Sequence, residues 1–309
     1  MTPPVWFHEL VVAPAAFTVA LLHARRALGG GRAIGELLAL AAYGYGLEAA
    51  AIGLFGSHTY GASWLAAPFG VPLAVALVWA AVISSSMALA ARIDPRGTTA
   101  RAAAAALIAI SLDVLMEPVA VRIGLWRWTP AGPWLGVPIG NFVGWAVIVA
   151  GYTLGAERFT GGGPLYREIA DRLAVAGASV MGLILVGLAW KRLRAEYLFT
   201  GSRGWMAWAA ILMATAIAGR ARGREAQDGG LPARLGRATG RGPAGVFLGL
   251  AAVFAIDAAT LHDPRLWLAA LGSTASLLWV SGRASSGSSV PSRAATASPA
   301  PRAPGGVAG

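Results

Sequence analysis

Apolar residues fall in runs of about 20, the length that crosses a bilayer core as a helix, with short segments rich in Arg, Gly and Pro between them. The runs predict nine spans, at residues 6–24, 33–55, 71–91, 101–117, 138–156, 173–190, 204–219, 244–261 and 265–281. The seventh is short, and Pro264, between Asp263 and Arg265, turns the last two into a tight hairpin. The pattern is that of an all-α, polytopic transmembrane helical bundle of about seven to nine spans. It divides into a membrane helical domain carrying the candidate chemistry (1–218), a flexible basic loop (219–243), a C-terminal transmembrane hairpin (244–281) and a disordered tail (282–309). The tail is Ser, Ala, Pro and Gly with no apolar period.

Composition agrees with a hydrocarbon environment. The chain is 56% hydrophobic and only 13% charged, against about 25% charged in soluble domains. A net charge of +11 raises nucleic acid as a partner. The arginines collect instead in alternate loops, as in Arg25, Arg26 and Arg32, then Arg92, Arg96 and Arg101. Cytoplasmic loops require that distribution, so no nucleic-acid partner is expected and the N-terminus is expected outside a multi-pass cell-membrane protein. The N-terminal stretch has neither the basic region nor the small-residue cleavage site of a signal peptide, so the first span itself directs membrane entry. There is no cysteine, which excludes disulfides, thiolate metal sites and cysteine nucleophiles.

Against this apolar background each ionisable group inside a span asks for a reason. Glu48 lies in the second span, Asp113 and Glu117 in the fourth and Asp257 in the eighth. His8, Glu9 and His23 lie near the ends of the first span, and Glu36, at the start of the second, is expected at the interface. Asp113 and Glu117 share one helix face, being one turn apart. The topology brings Glu48, Asp113, Glu117 and Asn141 to one membrane level. Two readings stand for the acids: packing groups paired with a cation, with Arg122 and Arg127 near enough in sequence, or a functional site. Asp257 is isolated and reads as structural. Trp6, Trp64, Trp190, Trp205 and Trp267 fit the interfacial belt. Trp126 and Trp128 fit the belt equally well, or the walls of a pocket for a flat polyene or a cation.

The chain has no Gly-rich phosphate loop, no Asp-rich prenyl-transfer motif, no histidine cluster with metal spacing and no GxSxG elbow. What remains is carboxylates, aromatic rings and water.

The segment 112–145 carries Glu117-Pro118, then Gly124-Leu125-Trp126-Arg127-Trp128, Gly136-Val137-Pro138 and Asn141-Phe142-Val143-Gly144-Trp145. Upstream are Glu48 and Gly70-Val71-Pro72, with Trp79 beyond. This ordered string resembles the signature of the membrane carotenoid-biosynthesis hydratases, of the γ-carotene and bisanhydrobacterioruberin hydratase type. It departs from that signature in having Glu rather than Asp before Pro118, and in a looser match over the loop FGSHTYGASW. The resemblance implies addition of water to the terminal isopropylidene double bond of an acyclic carotenoid end, giving a tertiary alcohol with no cofactor and no metal. It implies a carotenoid substrate drawn from the bilayer, and association with other carotenoid enzymes. Protonating a trisubstituted alkene needs an acid shielded from bulk water, and a second carboxylate can orient the attacking water. On the resemblance, Glu117 or Asp113 is the general acid, the other or Glu48 positions water, and Asn141 bonds that water or a carboxyl. Trp126 and Trp128 line the polyene end with Trp145, while His58 and Tyr60 sit at the mouth. A membrane carotenoid cyclase, which also begins by protonating an alkene, and a non-enzymatic lipid transporter or scaffold are the alternatives.

Overall fold

The computed structural model describes residues 3–93, 97–158, 164–192, 230–238 and 240–286. The described chain is a helical bundle: α1 (Val5–Leu28), α2 (Gly30–Phe55), α3 (Leu73–Ile93), α4 (Thr98–Arg122), α5 (Ile139–Arg158), α6 (Leu165–Arg192), α7 (Leu231–Arg237), α8 (Gly242–Thr260) and α9 (Pro264–Ser286). Among the described residues, six helices, α1 to α5 and α8, are long and apolar enough to cross a membrane. The expected span at 204–219 and most of the loop 219–243 lie outside the described residues, as does the tail from 287 onward.

Helix α3 is the centre of the bundle. Ala80, Ala81, Ser84, Ser85, Ser86, Ala88 and Ala90 are all buried, and small side chains let neighbouring helix backbones approach closely where lipid supplies no hydrophobic drive. The Ser86 hydroxyl donates to the Val82 carbonyl one turn back, so its polarity is met within the helix. Around α3 pack α1, α2, α4, α8 and α9. Helices α8 and α9 therefore join the core directly. Arg122 at the end of α4 reaches Asp263 in the α8–α9 turn at 3.2 Å. The hydrogen bonds from Arg265 hold the Asp263 carboxyl at about 2.

Residues 231–237, within the stretch expected to be a flexible loop, form α7 against α3. The Arg92 guanidinium donates to the carbonyls of Gly236, Ala238 and Gly240 at 3.1, 2.6 and 2.9 Å, satisfying the acceptors that a helix end leaves open. That contact joins segments far apart in sequence and has no local signature.

Two connections set the geometry of one end of the bundle. After α2, β1 (His58–Tyr60) pairs antiparallel with β2 (Trp126–Trp128), which follows α4. The register is His58 with Trp128, Thr59 with Arg127 and Tyr60 with Trp126. Flanking bonds from Gly61 N–H to the Leu125 carbonyl and from Thr129 N–H to the Ser57 carbonyl lengthen the ladder. A Cβ at Gly61 would lie 2.6 Å from the Gly124 carbonyl oxygen, so only glycine fits there. The Glu9 carboxylate accepts the backbone N–H groups of Leu65 and Ala66, both at 2.7 Å, and fixes the next loop to α1.

The opposite end is tied by ion pairs. Glu36, expected at the interface, is buried. It accepts from Arg172 at 2.6 Å and from the Tyr152 hydroxyl at 2.7 Å, because α5 and α6 close over it. Arg101 and Glu157 pair at 2.7 Å between α4 and α5, and Arg32 pairs with Glu168. Removing one partner of a buried pair strands the other charge, at a cost of roughly 3–5 kcal/mol. Arg172→Met should lower the stability of the detergent-purified protein by that order, and adding Glu36→Leu should recover part of the loss. Thermal unfolding checks this, and a single variant as stable as wild type would show that the pair contributes nothing.

Candidate active site

Helix α4 delivers the first two acids. Asp113 and Glu117 are buried one turn apart, and Pro118 follows within the helix. A helical proline has no N–H, so the Val114 carbonyl loses its usual donor. The Trp134 indole takes its place at 3.2 Å and draws the proline-rich loop down onto α4.

The strand pair then closes over Glu117. Side chains alternate along a strand, so Trp126 and Trp128 share one face while Arg127 turns outward and is exposed. His58 and Tyr60 share the matching face of β1. The Trp126 and Trp128 indoles both donate to Glu117 Oε2, at 2.9 and 3.0 Å. Glu117 Oε1 accepts from no described residue. The rings pack among themselves, His58 against Trp128 at 4.8 Å between centroids and Tyr60 edge-on to Trp126 at 5.9 Å.

Glu48, from α2, faces the same place. Trp79 Nε1 donates to its Oε1 at 2.8 Å, and His58 Nε2 lies 3.0 Å from its Oε2. Ser57 Oγ contacts the other nitrogen of His58 at 2.9 Å, so both ring nitrogens are engaged. The Tyr60 phenol is on the same cavity wall. Burial first, and then the nearby Glu48 charge, hold this phenol well above its ordinary range, so it remains a donor. Trp79 stacks on Trp145 of α5 with ring centroids 4.1 Å apart. Trp79 fits because α2 has Gly44 opposite, where a Cβ would lie 2.4 Å from the tryptophan Cβ.

These groups line one cavity of about 610 Å³ between α1 to α6, α8 and the strand pair. Its wall is mostly apolar, with Glu48, Glu117 and Asn141 as the acid and amide groups exposed to it. Asn141 Nδ2 donates to Asp113 Oδ2 at 3.0 Å. Asp113 is fully buried and does not line the cavity, and its Oδ1 has no partner among the described residues. Asp113 therefore stands behind Asn141 rather than at the reacting face. Among the described residues no group of three or more His, Asp or Glu is arranged to hold a metal ion.

The structure brings Glu48, Glu117, Asn141, His58, Tyr60, Trp126, Trp128 and Trp145 to the cavity wall, and Asp113 to it through Asn141. It does not pair the acids with the arginines near them in sequence. Arg122 goes to Asp263, and Arg127 is on the far side of its strand. Trp64, which fits the interfacial belt on sequence grounds, lines the cavity and donates to the Leu125 carbonyl at 3.0 Å. Trp79 is the residue that sequence reasoning undervalued as a partner of Glu48. Asp257, isolated in sequence, faces His8 across 3.4 Å.

Neither a curated protein nor a solved structure matches the chain. The family model described as carotenoid biosynthesis protein matches residues 7–189, a stretch that includes every acid, amide and aromatic group of the site just described. That match covers more than half of the chain, and the protein belongs to this family of membrane carotenoid-biosynthesis proteins.

Proposed function

We propose that the protein is a hydro-lyase that adds water, without a cofactor, to the terminal isopropylidene double bond of an acyclic carotenoid end, yielding a tertiary alcohol. The observation that carries this reading is the pairing of two carboxyl groups, Glu117 and Glu48, on the wall of an otherwise aromatic and aliphatic cavity. Hydrocarbon chemistry that begins with a proton and ends with water needs an acid, a base and a wall that does not itself react with a cation.

In this mechanism Glu117, protonated on Oε1, gives its proton to the less substituted alkene carbon. The O–H bond breaks, the C–H bond forms, and a tertiary cation is left on the neighbouring carbon. The stacked faces of Trp79 and Trp145 stabilise that charge and offer it no lone pair. A water held by Asn141 attacks the cation. Its proton passes to Glu48, whose position is fixed by Trp79 and His58. Return of that proton to Glu117 resets the site. Asp113 acts by holding the Asn141 amide in one orientation. The substrate enters from the bilayer, and other carotenoid enzymes that supply or consume it are the partners. Arg25, Arg26, Arg92, Arg101 and Arg172 lie toward the end opposite the strand pair, which supports a cytoplasmic position for that end and an N-terminus outside.

Co-expression in a lycopene-producing bacterial host tests the reaction class. The pigment should gain the mass of one water at each reacted end. An isomer of unchanged mass would identify a cyclase instead, and unchanged pigment beside membrane-inserted protein would overturn the reading for this substrate. Glu117→Gln and Glu48→Gln should each lower turnover by at least about a hundredfold while the protein remains folded. Asp113→Asn should cost roughly ten- to a hundredfold, since it disturbs positioning rather than proton transfer. Combined with Asn141→Leu it should be no worse than Asn141→Leu alone, which a double-mutant cycle on turnover measures. Additive losses would mean that Asp113 acts independently of the amide.

A further inference from the structure

The cavity has a second polar spot, away from the acids that the proposed reaction uses. His8 lines the wall contributed by α1 and α8, beside Val12, Leu250 and Phe254. It is 4% exposed, and Asp257 behind it is fully buried. His8 Nε2 lies 3.4 Å from Asp257 Oδ2, close enough for an ion pair yet too long for a good hydrogen bond. Neither His8 nitrogen and neither Asp257 oxygen has a hydrogen-bond partner among the described residues. His58, the other imidazole on the wall, has both nitrogens engaged, by Glu48 and Ser57.

The backbone here is also unusual. Residues His8–Val12 form a π-helical turn within α1. Such bulges recur at functional sites because they redirect side chains that an α-helix would spread otherwise. In this one, His8 faces the cavity and stacks near Phe254 at 5.7 Å, while Glu9 turns to bind the loop amides of Leu65 and Ala66.

We infer that His8, held by Asp257, is an oxygen-binding subsite that takes the hydroxyl group of an otherwise apolar ligand. A buried imidazole with an open nitrogen in an apolar wall is mismatched to a hydrocarbon and matched to an alcohol, which can donate or accept according to the tautomer. The Asp257 carboxyl backs the ring at 3.4 Å and leaves its nitrogens open to a ligand hydroxyl. The inference that the ligand is a polyene rests on the proposed function. Discrimination between hydroxylated and plain ends does not require that the protein catalyse anything.

The test is binding of lycopene, and of lycopene hydrated at one end, to the detergent-purified full chain, followed by quenching of tryptophan fluorescence. Wild type should bind the hydrated form about tenfold more tightly, the scale of one net hydrogen bond. His8→Leu should abolish the preference while leaving lycopene affinity unchanged, which also shows that the variant is folded. If His8→Leu loses all binding, the near-isosteric Asp257→Asn decides: a reduced preference supports the subsite and an intact one overturns it. Equal affinity of wild type for both ligands, or a preference that survives in His8→Leu, would overturn the subsite while leaving the hydration reading standing. Failure of wild type to bind either ligand would sink both.

Discussion

A carboxyl group inside the hydrocarbon layer must find its hydrogen-bond donors within the protein, because no water is there to supply them. At the strand-pair end this constraint governs the architecture. Glu117 takes two indole N–H groups, Glu48 takes an indole and an imidazole, and Asp113 takes an amide. Those donors come from α3, α5 and the two strands, so satisfying three acids also assembles the cavity. At the other end the same need is met by guanidinium groups, Arg172 for Glu36 and Arg101 for Glu157. The chemical difference matters. Arginine brings a full charge that neutralises the carboxylate and closes the site, whereas indole and amide donors orient a carboxyl without taking away its capacity to exchange a proton.

The strand pair shows how few residues are needed to produce this. Three residues on each side, alternating in and out, turn four rings toward the acids and send Thr59 and Arg127 away. Pro118 contributes by removing a donor, and the freed Val114 carbonyl recruits Trp134 and so the loop that leads into Asn141. The site is built from backbone rules as much as from side-chain chemistry.

Much of this is legible in the sequence, for definite reasons. Runs of about 20 apolar residues determine helices in lipid, and the expected spans through residue 190, and again from 244, fall on helices α1 to α6, α8 and α9, of which α1 to α5 and α8 are long and apolar enough to cross a membrane among the described residues. Acids are rare in such runs, so Glu48, Asp113 and Glu117 identify themselves. What stays hidden is every long-range partner. Nothing near Glu36 in sequence announces Arg172, nothing near Asp257 announces His8, and nothing in residues 231–237 announces Arg92. Trp64 reads as a belt residue because tryptophan favours the interface, and Trp79 enters only as part of the resemblance; only the fold reveals where their N–H groups point. The distinction between Asp113 and Glu117 is equally invisible. They lie on the same helix face, yet the cavity touches one and reaches the other only through Asn141.

In the proposed reaction a proton from a protein carboxyl and an oxygen from water end on adjacent carbons of one polyene end. Isotope incorporation tests it most directly: reaction of membranes holding the protein with an acyclic carotenoid in water labelled with deuterium and oxygen-18, read by mass spectrometry of the alcohol. One oxygen-18 and one non-exchangeable, carbon-bound deuterium are expected per reacted end. An alcohol with unlabelled oxygen, or one lacking carbon-bound deuterium, would contradict it.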